Sequence, residues 1–169
     1  MKVRIAGITV AALVLILVVI LIGIRISTRT IPPLQVKTVD GGSFMLVEKD
    51  RSPATLVSFW ASSCKVCIKE IPEFIHLYDD LRPNKLRMIG IAMHYDRPDF
   101  TLAAIKHFEI PWPVALDLDG QLAATFGDVS LTPTTFLLDH EGHVVWQRTG
   151  AVDFESLRRI IGSMLTGDV

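Results

Sequence analysis

The chain has 169 residues, half of them hydrophobic, and a formal net charge of −1; its length allows one globular domain of about 100 to 150 residues with an appendage, and its composition excludes intrinsic disorder. Four cationic residues, Lys2, Arg4, Arg25 and Arg29, flank an apolar segment near the start, so the remainder is mildly acidic, which argues against nucleic-acid binding. Both cysteines belong to a single motif, which is too few for a disulfide scaffold or a four-thiolate zinc site.

Residues 5–24 predict the first element, a helix that spans a membrane. They contain no charge and no proline, and at about 1.5 Å per residue they make roughly 30 Å of helix. No convincing cleavage site of small residues follows, so we expect an uncleaved signal anchor rather than a signal peptide. Residues 1–4 then form a short cytoplasmic tail, and the rest of the chain lies outside the cytoplasm, where cysteines meet oxidising conditions.

Beyond the anchor, the pattern predicts a linker over residues 25–33, which ends in Pro32-Pro33, and one domain over residues 34–169. Its elements are expected in this order: a hairpin over 34–47, a buried strand over 54–61, an amphipathic helix over 64–81 with a kink at Pro72, a buried strand over 86–93, a helix over 98–108, a strand over 114–116, a helix over 121–126, a hairpin over 135–149 and a last helix capped by Asp153. This order corresponds to a βαβ unit joined to a ββα unit.

The motif Cys64-Lys65-Val66-Cys67 lies where the first buried strand is followed by a helix. The N–H groups and the dipole at a helix N-terminus favour a thiolate, so we expect Cys64 to be the nucleophile, with its pKa lowered further by Lys65. One helical turn brings Cys67 within bonding distance, so Cys67 can resolve a mixed disulfide. A structural disulfide is the less favoured alternative, because it would close a very small loop and stabilise the fold little.

A copper or zinc site is the other alternative, since two thiolates and a histidine can hold either metal. The histidines of the chain show no partner motif, and His140 and His143 most simply fill the turn of a hairpin. We therefore expect no metal.

Residues 59–72 (FWASSCKVCIKEIP) resemble the active-site segment of the TlpA/ResA-like thiol-disulfide oxidoreductases, which are membrane-anchored thioredoxin-fold proteins and include those that serve cytochrome c maturation. Residues 90–99 (GIAMHYDRPD) are similar to the segment that opens the family's central insertion. The likeness continues in Phe126-Gly127 and in residues 132–139 (TPTTFLLD). The resemblance implies a thioredoxin-like α/β fold around a mixed sheet, with an N-terminal hairpin and a central insertion.

The resemblance also assigns roles to individual residues. Pro133 matches the family's cis-proline beside the active-site disulfide, and Thr132 would present its backbone to an extended substrate segment. Glu70 matches the acidic residue that members keep near the cysteines. Its role would be to exchange the proton of Cys67, which requires a carboxyl pKa raised by burial; the alternative is a solvated helix glutamate. Trp60 either forms a wall of the site or packs in the core.

Three positions depart from the family pattern. Ser58 replaces the buried aspartate of ordinary thioredoxins, which makes Glu70 the expected proton carrier. Ser63 replaces the tryptophan that is common before the first cysteine. Lys65-Val66 lacks the proline common in relatives, and because this pair tunes the redox potential, the direction of electron flow stays open.

The function implied by the resemblance is thiol-disulfide exchange with other proteins. We expect a monomer tethered to a bacterial cytoplasmic membrane on its extracytoplasmic or periplasmic side, with the Cys64–Cys67 disulfide as its redox group and no cofactor. It would reduce protein disulfides, in cytochrome c maturation or in assembly of an oxidase copper site, with electrons from a membrane thiol transporter. The residues expected to contact the substrate are Trp60, Lys65, Val66, Thr132 and Pro133.

Other functions stay open as alternatives. A copper chaperone would use both cysteines as ligands, although such chaperones of related fold generally carry a CxxxC motif. A disulfide oxidase or isomerase would use the same cysteines in the opposite direction. A peroxidase of the same fold would need a threonine shortly before its reactive cysteine, which Ser62-Ser63-Cys64 does not supply.

Overall fold

The computed structural model describes residues 29–48 and 52–166. The expected membrane anchor, residues 5–24, and the tail before it lie outside these ranges. Among the described residues, no helix is both long enough and apolar enough to span a bilayer. The elements in chain order are β1 (Gln35–Lys37), β2 (Ser43–Met45), β3 (Ala54–Trp60), α1 (Lys65–Leu81), a 3-10 turn (Arg82–Asn84), β4 (Leu86–Ala92), α2 (Pro98–Phe108), β5 (Val114–Leu116), α3 (Gln121–Thr125), β6 (Thr134–Asp139), β7 (Val144–Thr149) and α4 (Phe154–Thr166).

Five strands form the central sheet in the order β5-β4-β3-β6-β7. Strand β4 runs parallel to both β3 and β5, whereas β6 pairs antiparallel with both β3 and β7. The expected βαβ unit is β3-α1-β4, and the expected ββα unit is β6-β7-α4. Strands β1 and β2 form a separate antiparallel hairpin, in which Gly41 has a positive φ of 84° that glycine adopts without steric cost.

The central strands are buried on both faces because other elements cover both sides of the sheet. Every residue of β3 is buried, and successive side chains point to opposite faces. Leu56 and Trp60 pack in one apolar cluster with residues of α1, α2 and α4. Val57 and Phe59 pack in a second cluster with the β1–β2 hairpin and α3. Burial on both faces accounts for the near-continuous apolar run of this strand.

A row of small residues crosses the middle of the sheet. Thr135 of β6, Ser58 of β3 and Gly90 of β4 are neighbours in the strand register. Ser58 alternates with Leu56 and Trp60, so the row lies on the face that α1 covers. Small side chains leave space between the sheet and α1, and the candidate site is built around that space.

The described start of the chain packs on the domain earlier than the sequence predicts. Residues 29–33 fall in the expected linker, yet Ile31 is fully buried. The N–H of Ile31 donates to the carbonyl of Gly142 at 2.8 Å, and the N–H of Val144 donates to the carbonyl of Arg29 at 2.9 Å. A Cβ at Gly142 would lie 2.5 Å from the Ile31 carbonyl oxygen, so this approach requires glycine. The folded domain therefore begins before Leu34. The sequence could not predict this start, because one buried side chain forms no periodic pattern of apolar residues.

Candidate active site

Cys64 occupies the N-cap position of α1. Its Sγ accepts a hydrogen bond from the backbone N–H of Cys67 at 3.1 Å. The N–H groups at the start of a helix have no partner within the helix, and here one of them is directed at the sulfur. This placement confirms that the first cysteine lies at a helix N-terminus, where a thiolate is favoured over a thiol.

Cys64 and Cys67 form a disulfide with their Cα atoms 5.2 Å apart. The two sulfurs differ in access to solvent, because Cys64 is partly buried whereas Cys67 is only 4% exposed. An incoming group can reach Cys64 from solvent, while Cys67 faces the protein interior. This asymmetry matches the expected division into a nucleophile and a resolving cysteine.

Glu70 is buried one helical turn beyond Cys67, with 7% of its surface exposed. One carboxyl oxygen, Oε1, accepts a hydrogen bond from the backbone N–H of Val152 at 2.6 Å. The other, Oε2, is buried and has no hydrogen-bond partner among the described residues. Burial raises the pKa of Glu70 above its usual value, and the Val152 N–H opposes this only in part. The structure therefore contradicts the alternative of a solvated surface glutamate.

A cavity of about 20 Å³ lies between α1 and the sheet, which is room for one water molecule. Cys67, Glu70, Ser58 and Pro133 all contribute to its lining. The structure thus brings Cys67, the buried carboxyl and the proline loop to one cavity. The small Ser58, where ordinary thioredoxins have an aspartate, leaves Glu70 as the carboxyl of this cavity.

Two indole rings form part of the cavity wall. Trp60 and Trp112 are 6% and 7% exposed, and a Cβ at Gly90 would lie 3.2 Å from Nε1 of each. Glycine at this position gives both rings room beside the cavity. Trp60 therefore lines the site from the inside, whereas Trp112, which follows α2 in the chain, is a member of the site that sequence reasoning missed.

The peptide bond between Thr132 and Pro133 is cis, as the resemblance implies. Pro133 is buried and Thr132 is partly buried. The carbonyl of Pro133 accepts a hydrogen bond from the N–H of Gly150 at 2.8 Å, and Oγ1 of Thr132 lies 3.1 Å from the hydroxyl of Tyr95. These contacts hold the loop against β7 on one side and against the loop after β4 on the other.

Lys65 and Val66 are exposed on the first turn of α1. Val66 has 41% of its surface accessible. The predicted contact residues thus divide into an outer pair beside Cys64, two residues that line the cavity, Trp60 and Pro133, and the partly buried Thr132. An outer pair of this kind can contact a partner protein without any rearrangement of the core.

Asp96 is a second residue that sequence reasoning missed. It lies in the loop between β4 and α2, and its carboxylate accepts hydrogen bonds from the N–H and the hydroxyl of Ser62 at 2.6 and 2.7 Å. The parallel strands β3 and β4 end at the same edge of the sheet. Polar residues that follow such strands often meet at that edge. The position of Asp96 shortly after β4 could therefore have predicted its place near the cysteine motif.

The described residues contain no group of three or more histidine, cysteine, aspartate or glutamate side chains that could hold a metal ion. His143 lies at the β6–β7 turn, where its Nδ1 is 2.9 Å from Oδ2 of Asp139. Its position in this turn is the one predicted from the sequence.

A family model, the AhpC/TSA family, matches residues 28–147. The thiol-disulfide oxidoreductase ResA of Bacillus thuringiensis subsp. konkukian is 30% identical over 112 residues, which are 66% of this chain and 63% of that protein. The sporulation thiol-disulfide oxidoreductase A of Bacillus subtilis is 26% identical over 124 residues, which are 72% of this chain and 73% of that protein. The chain thus spans less than two thirds of the length of the first of these relatives.

Among solved structures, a thiol:disulfide interchange protein of the thioredoxin family from Chlorobium tepidum is similar with a TM-score of 0.71 and 24% identity, over 83% of this chain and 99% of that one. At this identity the likeness concerns the fold alone. Together with the mixed sheet, it confirms the expected thioredoxin-like α/β architecture.

Proposed function

The chain belongs to the AhpC/TSA family, and from this premise we propose that it is a thiol-disulfide oxidoreductase of the ResA type, which reduces disulfides in other proteins. The observation that carries the proposal is the Cys64–Cys67 disulfide at the start of α1. One sulfur is partly exposed, and the other is buried at a cavity that a carboxyl also lines. A disulfide that only stabilised the fold would require neither a helix N-terminus at its first sulfur nor a carboxyl beside its second.

The reaction begins from the dithiol form. The Cys64 thiolate attacks one sulfur of the substrate disulfide, a mixed disulfide forms, and the other substrate sulfur leaves as a thiolate that takes up a proton. Cys67 then attacks Sγ of Cys64, the mixed disulfide breaks, and the second substrate sulfur leaves as a thiolate that also takes up a proton. The substrate gains two electrons and two protons, and the Cys64–Cys67 disulfide is restored.

Glu70 supports the second step. Cys67 must lose its proton before it attacks, and it is too buried to give that proton directly to bulk water. The unpartnered Oε2 of Glu70 shares the cavity with Cys67 and can take the proton there. A carboxyl whose pKa is raised by burial is a stronger base than an exposed one, which suits this role.

The substrate would bind along the loop that contains Thr132 and Pro133. Among the described residues, none forms a hydrogen bond with the backbone N–H or carbonyl of Thr132. An extended segment of the substrate can pair with these groups as a short added strand, which reads little of its sequence. Lys65 and Val66 flank Cys64 on the solvent side and would contact the same partner.

The membrane tether and the compartment belong to the same proposal. Residues 5–24 contain no charge and are long enough to cross a bilayer as a helix. We place the domain as a monomer on the extracytoplasmic or periplasmic side of a bacterial cytoplasmic membrane. That side is oxidising, so net reduction requires a membrane thiol donor to return the pair to its dithiol form. Its protein substrates would belong to cytochrome c maturation or oxidase copper-site assembly, and no cofactor beyond the disulfide is needed.

Single-turnover reaction of the reduced full chain with a peptide that contains one disulfide tests the proposal. The unaltered chain should yield the reduced peptide and its own disulfide. Cys67→Ser should accumulate the mixed disulfide, and Cys64→Ser should not react. Turnover by Cys64→Ser would contradict the assignment of the nucleophile. Stoichiometric copper binding by a reduced chain that leaves the peptide oxidised would favour the copper chaperone instead.

A further inference from the structure

The carboxylate of Asp96 accepts three hydrogen bonds. Its Oδ2 accepts from the backbone N–H of Ser62 at 2.6 Å and from Oγ1 of Thr101 at 2.7 Å. Its Oδ1 accepts from Oγ of Ser62 at 2.7 Å. Thr101 lies on α2 and is fully buried, so the carboxylate is held from the helix on one side and holds Ser62 on the other.

Ser62 lies inside the turn that leads to the nucleophile. This turn closes with a hydrogen bond of 3.1 Å from the N–H of Cys64 to the carbonyl of Ala61. Ser62 therefore cannot move without moving the backbone that carries Cys64. Hydrogen bonds to a carboxylate are among the stronger ones in proteins, so Asp96 joins this turn firmly to the loop after β4.

The same loop also contacts the proline loop. Tyr95, which precedes Asp96, places its hydroxyl 3.1 Å from Oγ1 of Thr132. The loop after β4 thus contacts both segments that frame the disulfide, the turn before Cys64 and the loop that contains Pro133. We infer that Asp96 is a positioning residue for Cys64, which holds the sulfur at the N-terminus of α1 and within reach of Cys67. This inference rests on the proposed function and adds a residue to its machinery.

Loss of this contact should change the redox equilibrium and not only the stability of the fold. When the turn is free to move, the two thiols of the reduced form spend less time at bonding distance, so the disulfide forms less readily. For Asp96→Ala we expect the equilibrium constant for disulfide formation in a glutathione buffer to fall at least tenfold, which corresponds to about 30 mV for a two-electron couple. The single-turnover rate with the disulfide peptide should fall by a similar factor.

Asp96→Asn separates position from charge. The amide oxygen can accept the bonds from the Ser62 N–H and from Thr101, and the amide NH₂ can donate to Oγ of Ser62. We expect this variant to stay within about threefold of the unaltered chain in both measurements, the remaining difference arising from the lost charge. Asp99→Ala is the matched control, because Asp99 is an exposed carboxylate three residues away that pairs with Arg97 and has no contact with Ser62.

The experiment measures all variants in the full chain, with thermal unfolding to establish that each is folded. Equal values for Asp96→Ala and Asp99→Ala would overturn the inference, and so would an Asp96→Asn variant as impaired as Asp96→Ala. If Asp96→Ala does not fold, Ser62→Ala removes one of the three bonds and should lower both quantities about threefold; no change would overturn the inference. Failure of the unaltered chain to reduce the peptide would instead refute the proposed function.

Discussion

The backbone N–H of Val152 donates a 2.6 Å hydrogen bond to Oε1 of Glu70, 82 residues away in the chain. Oε2 of the same carboxyl is buried without a partner among the described residues. The first contact fixes the orientation of the carboxyl, and the second oxygen is left free at the cavity that Cys67 also lines. This arrangement is the basis for the proposed transfer of a proton from Cys67 to Glu70.

Glu70→Gln should slow resolution of the mixed disulfide by at least about tenfold, since a positioned general base typically contributes 10² to 10⁴. Burial raises the pKa of Glu70, so the unaltered chain should resolve faster as the pH rises through that raised pKa and the carboxyl becomes a base. The variant should lack this rise. Stopped-flow measurement of the resolution step against pH tests the prediction. Glu73→Gln, on an exposed position of α1, is the control, and a pH profile unchanged in Glu70→Gln would contradict the role.

The same substitution should change the pH dependence of stability. Glu70 has a higher pKa in the folded protein than in the unfolded chain. Below the pKa of the unfolded chain it is protonated in both states and does not lower the free energy of unfolding. As the pH rises toward the pKa of the folded protein, the free energy of unfolding falls, and the loss is complete above that pKa. Glu70→Gln should therefore match the unaltered chain near pH 4 and be more stable than it near pH 8. Thermal unfolding of both oxidised proteins at the two pH values measures this, and a larger difference at pH 4 would show that the sign is wrong.

Gly90→Ala should destabilise the domain by about 1 to 3 kcal/mol, because the added Cβ would lie 3.2 Å from the indole nitrogens of both Trp60 and Trp112. Gly162→Ala is the matched control. Gly162 lies inside α4, where a Cβ meets nothing within 4 Å, so this change should stabilise the domain by about 1 kcal/mol. Urea unfolding monitored by tryptophan fluorescence measures whether each variant has a lower or a higher free energy of unfolding than the unaltered chain. A neutral Gly90→Ala would mean that the rings move apart readily.

Ile31→Ala should cost about 2 to 5 kcal/mol of stability, the usual range for a fully buried isoleucine. A position in a linker would cost almost nothing. Val39→Ala, at a residue 36% exposed, should cost less than about 0.5 kcal/mol. Denaturant midpoints of the two variants compare them directly. If Ile31→Ala lowered the denaturant midpoint no more than Val39→Ala, residues 29–33 would contribute no stability to the domain.

The reduction potential of the full chain should lie near that of thioredoxin, about −270 mV. This value corresponds to the proposed direction of electron flow, because a dithiol that reduces protein disulfides must give up its electrons readily, whereas a strong oxidant has a stabilised reduced form. Equilibration against thiol redox buffers, with alkylation of the free thiols, gives the value. A potential near about −120 mV, as in DsbA, would make the protein a disulfide donor or isomerase.

The order of the elements could be read from the sequence because it depends on residues close together in the chain. The buried runs of β3 and β4 and the helical spacing of α1 each predicted an element within a residue or two of its observed bounds. The cysteine motif predicted its own position at the helix N-terminus, and the likeness around Pro133 implied the cis peptide bond. The packing of residues 29–33 was not predicted, because one buried side chain beside two prolines forms no periodic pattern of apolar residues.

The thioredoxin-like fold and the place of the cysteine motif at a helix N-terminus could be predicted from the chain alone, because propensity, periodicity and motif spacing act over a few residues. Whether Glu70 is a surface charge or a buried carboxyl depended on long-range packing, because its hydrogen-bond partner Val152 is 82 residues away. The same holds for Asp96 and Ser62, 34 residues apart. The parallel register of β3 and β4 ends both strands at the same edge of the sheet, which places the segments that carry Ser62 and Asp96 side by side.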